Sequence, residues 1–217
     1  MKGLLIKDFK LMKGQKNFFF VIASISIIEI VTMSEASFII GFVGFVGSLF
    51  TLSSISYDEF DNGNAFLFSL PISRKMYVLE KYCFGFITSI AAWALGVLAG
   101  MIAAVIKNTG SPHTILLNAC RILPFIPLLL SIMLPLHLKF GGEKGRIALI
   151  SIIASLFGIG VILINSARLL GMNITPVLNR LANLNVQIYA ILYTAGLLIL
   201  LLISCLVSIA VMNHKEF

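Results

Sequence analysis

Asp58, Glu59 and Asp61 stand close together near the start of the second quarter of the chain. Carboxylates so placed are the residue types that hold a divalent cation or share a proton in acid–base work. Nothing else in the sequence completes such a site. His113, His137 and His214 are scattered, and no GxxxxGK[ST] loop is present to cradle a phosphate. Cys83, Cys120 and Cys205 are odd in number and fit no metal-ligand spacing. They lie in or at apolar runs and read as small packing residues. The plainer reading of Asp58, Glu59 and Asp61 is solvated charges that open a helix, where the macrodipole favours carboxylates. The chain is therefore read as no enzyme, with no catalytic residue, no metal and no cofactor of its own.

The carboxylates instead begin an interaction element, residues 57–82. Phe60, Phe66, Leu67 and Phe68 give it aromatic and aliphatic bulk. Leu70-Pro71 ends a helical stretch, because proline disfavours helix at the residue before it. Ser73 then caps a new helix running through Arg74, Lys75 and Tyr77. Asn62-Gly63 allows an early bend. Phenylalanines exposed at a membrane surface either lie among headgroups or enter a protein groove as anchors.

What must position this element is lipid-soluble. Of 217 residues, 59% are hydrophobic and only 12% charged, and mean hydropathy is +1.04. Soluble domains carry about 25% charged residues, and so small a soluble globule could not hide this much apolar surface. The apolar runs are long and unbroken, unlike barrel strands. The class read is all-α, a polytopic transmembrane helical bundle forming a single domain over 1–217.

Six spans are read: Phe18 to about Met33, Ala36 to Ser56, Cys83 to about Ile106, about Asn118 to Leu138, Ile147 to about Ile164, and Ile188 to Met212. Residues 1–17 precede them as a basic helix lying on the membrane surface, with Leu4, Phe9 and Met12 on one face and Lys7 and Lys10 beside it. Too charged for too long, this segment is not read as a cleavable signal. Glu29 falls inside the first span. Either it reaches water near the outer end, or it meets a polar partner or a substrate.

Ala92, Gly96, Gly100 and Ala104, each four apart, make a flat ridge for a helix–helix contact within or between subunits. Pro124, Pro127 and Pro135 predict a kinked or broken fourth span whose freed carbonyls need partners. Residues 165–187 are too apolar for a free loop and too polar for a span. They are read as an outer interfacial or re-entrant segment.

Orientation follows from the basic residues. Of the sixteen Lys and Arg, all but Lys107, Arg121, Arg168 and Arg180 fall on the side of the N-terminus. Both termini and residues 57–82 are accordingly placed in the cytoplasm. The net charge of +7 is explained by this clustering at span ends, which excludes nucleic acid as the partner.

The stretch SYDEFDNGNAFLFSLPISRKMYVLEKY resembles the cytoplasmic loop of small bacterial ABC type-2 permeases, the membrane subunits of ABC exporters. The matching residues are Tyr57, Asp58, Glu59, Ser69, Leu70, Pro71, Ile72, Ser73, Arg74, Val78, Lys81 and Tyr82, and LLIKDFKLMK is similar to the family's opening. Asn62-Gly63-Asn64 departs from it, since the family often has a bulky residue there. The resemblance implies a permease in the bacterial cell membrane that works as a pair, identical or paralogous, with separate nucleotide-binding subunits that carry ATP and Mg. It implies that Asp58, Glu59, Phe60, Phe66, Leu67, Leu70, Pro71, Ser73 and Arg74 dock the ATPase while the N-terminal helix braces it. A hydrophobic or amphipathic cargo, such as a peptide, would be exported. Two other readings compete: a non-transporting immunity or assembly factor, and a stand-alone secondary transporter, for which Glu29 is the one intramembrane carboxylate.

Overall fold

The spine of the computed structural model is a close antiparallel-type pairing of two long helices, α3 (Ala36–Glu59) and α5 (Arg74–Lys107). Residues 1–32, 36–60, 63–107, 111–169 and 186–215 are described. Glycine sets how closely the spine helices approach. A Cβ on Gly47 would come 2.4 Å from the Cβ of Ala92, and one on Gly96 would come 3.1 Å from the backbone of Ile40. Lipid offers helices no hydrophobic reason to associate, so this backbone-level contact is a main source of their attraction.

Two helices precede the spine, α1 (Lys2–Gly14) and α2 (Lys16–Thr32), bent from each other by 64°. The short α4 (Gly63–Ser69) links α3 to α5, and α6 (Pro112–Ile122), α7 (Phe125–Phe140), α8 (Gly142–Leu169) and α9 (Val186–His214) follow. The described residues contain helix and no strand. Among the described residues four stretches are long and apolar enough to cross a membrane, Ser37–Glu59, Arg74–Lys107, Pro112–Phe140 and Tyr193–His214, and the bent pair α1 and α2 makes a fifth if it is counted as one span. The protein is a multi-pass helical membrane protein. Most of the outer segment expected at 165–187 lies outside the described residues, as does Asp61.

The proline-rich stretch breaks as expected. α6 stops at Ile122 and α7 starts after Pro124. Within α7, Pro135 has no N–H for the carbonyl of Ser131. That carbonyl accepts instead from Ser204 Oγ of α9 at 2.6 Å. The Ser204 proton being used there, the Tyr82 hydroxyl of α5 donates to Ser204 Oγ at 2.5 Å. One missing backbone donor thus ties three helices together.

The interaction element is shorter than residues 57–82. Tyr57, Asp58 and Glu59 are the last turn of α3, and Arg74 to Tyr82 are the first turns of α5. The 34 residues of α5 measure about 50 Å, well beyond a hydrocarbon core of about 30 Å, so these turns project past it. The expectation that Asp58 and Glu59 open a helix is corrected. They close one, at the macrodipole's negative end, where carboxylates are disfavoured. Cations hold them there.

Candidate functional site

The end of the bundle carrying α4 is built on a lysine that no water reaches. Lys81, fully buried, places its Nζ 2.5 Å from Asp8 Oδ2, 2.8 Å from Asp58 Oδ2 and 2.7 Å from Ser54 Oγ. Lys7 Nζ bonds the other oxygen of Asp58 and lies 3.3 Å from Asp8 Oδ1. The Tyr77 hydroxyl donates to Asp58 Oδ2 at 3.1 Å. Glu80 is fully buried beside them, 3.8 Å from Lys81 Nζ. Burial alone would raise the Asp8 carboxyl. The Lys81 ammonium more than offsets this, with Lys7 adding to it, and holds the group below the ordinary carboxylate value. The cluster joins α1, α3 and α5 in one charged knot beneath α4.

The two flanks of α4 are fixed as well. Glu59 Oε1 accepts from Lys215 Nζ at 2.9 Å, and its Oε2 accepts from the backbone N–H of Gly142 at 2.9 Å, the first residue of α8. Gly141, at φ 78°, supplies the left-handed turn that lets α8 begin there. On the other side Ser73 Oγ caps α5, accepting from Met76 N at 3.2 Å. Arg74 Nη1 donates to the carbonyls of Met212 and Asn213 at 2.9 and 2.7 Å.

Between these anchors α4 turns two faces. Leu67 and Asn64 are buried, Leu67 in a core with Leu4, Ile55, Tyr77 and Met212. Phe60 and Phe66 are each 72% exposed and Leu70 is 45% exposed. Pro71 and Ser73 also face out. A groove of about 600 Å³ runs between α1 and α4, lined among others by Met1, Leu4, Tyr57, Phe66, Leu70 and Met76.

The residues expected to dock a partner therefore divide. Phe60, Phe66, Leu70, Pro71 and Ser73 are on the surface, whereas Asp58, Glu59, Leu67 and Arg74 make their contacts inside the chain. Of the N-terminal helix residues, Leu4 is buried, Lys7 is half-buried at Asp58, and Lys10 is exposed. Phe9 packs edge-on to Phe84 with centroids 5.3 Å apart, and Met12 lines an apolar cleft with Phe18 and Phe50. Sequence reasoning assigned no role to Asp8, Ser54, Glu80 or Lys215, and met Lys81 only as a matched residue. The legible signal was Asp8, an acid on the apolar side of a helix whose other charges are all lysine.

The comparison with known families covers the bundle from end to end. The sequence profile described as "ABC-2 family transporter protein" matches residues 3–213. The chain belongs to that family. No curated protein and no solved structure matches it. An ABC-2 protein is a membrane transport subunit of an ABC transporter and is not itself catalytic.

In this ABC-2 permease the small-residue ridge lies inside the subunit. Ala92 and Gly96 face Gly47 and Ile40 of α3, and Ala104 packs with Ile115 and Ala119 of α6. Gly100 is buried between them in the sequence of the ridge. Glu29, on α2, is 8% exposed, and its Oε2 has no hydrogen-bond partner among the described residues.

Proposed function

We propose that this ABC-2 protein is the permease of an exporter whose separate nucleotide-binding subunit seats on α4. The observation that carries this reading is outward Phe66 on α4, a short helix whose other face is locked into the core, with exposed Leu70 just after it and exposed Phe60 just after α3. Large rings held rigidly on a surface are what a partner groove takes up as anchors. In this reading the lysine-rich arm lies on the cytoplasmic surface, this end and both termini are cytoplasmic, and the bundle has six spans. ATP and Mg bind the motor, two permeases share two motors, and α1 braces the docked helix from the side.

A hydrophobic or amphipathic cargo, a peptide among the candidates, fits a further groove of the molecule. It holds about 360 Å³ beside Pro124 and is lined by Phe86, Ile90, Leu123, Pro127, Leu198 and Leu201, with Thr194 as a polar member. Purification from the native membrane in mild detergent tests the reading. A stoichiometric ATPase subunit should accompany the chain, with ATP hydrolysis stimulated by apolar peptides or lipids. A chain recovered alone, without ATPase, would favour an immunity or assembly factor instead.

A further inference from the structure

The docking segment runs from Glu59, the last residue of α3, to Arg74, the first of α5. Both of these bounding residues bond to the same four-residue stretch at the far end of the chain. Arg74 takes the carbonyls of Met212 and Asn213, and Glu59 takes the ammonium of Lys215. The chemistry suits the place. The last carbonyls of a helix have no intrahelical donor, carry its negative partial charge, and are capped well by a guanidinium. Lys215 also donates to the carbonyl of Leu138 near the end of α7, at 3.1 Å. Met212 is 1% exposed, in the core cluster that holds Leu67 of α4 and Tyr77 and Tyr82 of α5. The end of α9 therefore cannot slide past the base of the docking segment without breaking charge-assisted bonds and disturbing this core.

We infer that the C-terminal end of α9, through Arg74 and Lys215, is a positioning element that carries displacement of α4 into the last membrane helix. Arg74 and Lys215 thus act as positioning residues: they hold the two flanks of α4 to one helix end, so that a push on α4 becomes a pull on α9. This rests on the permease reading above, in which a motor supplies the push.

The test uses the whole permease–ATPase complex in lipid nanodiscs, with the three cysteines replaced by serine. A nitroxide is attached at Ile199→Cys, an exposed position midway along α9. ATP with vanadate, added to trap the motor, should change the label's spectrum in the otherwise unaltered chain. In Lys215→Met, and separately in Arg74→Gln, the change should fall about fivefold or more, the lower end of couplings between sites. The motor should stay bound in equal amount. Lys215→Arg, which keeps the cation, should restore the response.

A full response in both Lys215→Met and Arg74→Gln with the motor bound would overturn the inference. So would loss of the motor together with the response, since the residues would then be docking groups. A Lys215→Arg variant as silent as Lys215→Met would also overturn it, because bulk rather than charge would then be at work. If the parent complex traps ADP and vanadate without moving the label, the inference alone fails. If the parent chain binds no ATPase, the permease reading fails and takes the inference with it.

Discussion

Lys81 shows how one residue can organise a site that hydropathy does not display. A buried ammonium is tolerable only when paired and hydrogen-bonded, and here Asp8, Asp58 and Ser54 meet both conditions. Removing it leaves the buried Asp8 and Asp58 with only the half-buried Lys7 as counter-ion. Lys81→Met should cost about 3–5 kcal/mol, seen as a lower melting temperature in detergent, while Lys10→Met on the exposed side of α1 should change little. Asp8 adds a pH signature. Its carboxyl sits below the ordinary value of 3.8, so its contribution to stability is complete above that value and is lost as pH falls through the lower folded value. Acid melting curves should show this loss, and Asp8→Asn should lack that part of the slope. Sequence could not pick out Lys81, because a lysine at a span end reads equally as one reaching toward headgroups. Asp58 and Glu59 were visible as a pair, but whether they open or close a helix depends on the lysines that reach them from α1, α5 and the end of the chain.

At the scale of elements, the small-residue and proline patterns carried the most information, because each constrains backbone rather than side chain. Gly47 and Gly96 set the α3–α5 distance. Gly47→Val should force the helices apart and destabilise by about 1–3 kcal/mol. Gly41→Ala, on the same helix with nothing within 4 Å of its added Cβ, should be neutral or slightly stabilising. The breaks in the backbone ladder at Pro124 and Pro135 were legible from the rings' missing donors, but the rescue of the carbonyl freed by Pro135 by Ser204 was not, since nothing in local sequence says which distant hydroxyl will come within reach. That link makes a double-mutant prediction. Ser204→Ala strands the Ser131 carbonyl and should cost about 1–3 kcal/mol. In a Pro135→Ala background the restored N–H at 135 serves that carbonyl, and the cost of Ser204→Ala should shrink. Equal costs in both backgrounds would disprove the link.

For the whole molecule, the division of labour is spatial. The membrane-facing surfaces of α5 and α9 are apolar, with Leu98, Ile102, Leu202 and Leu206 all exposed, while buried charge gathers at the end that carries α4. The class and the family were readable because lipid solubility is a property of composition and the stretch 57–82 that carries the family resemblance is contiguous. The charged knot was not, because its members come from positions 7 to 81 and meet only when α1 folds back onto the spine. The central claim is that α4 is the motor's seat, and its most direct test is the affinity of the purified ATPase subunit for this chain in nanodiscs. Phe66→Ala and Leu70→Ala should each weaken binding by about 2 kcal/mol, near thirtyfold, with melting temperature unchanged because both side chains are on the surface. Unaltered affinity in both variants would contradict the claim and leave those side chains among the lipid headgroups.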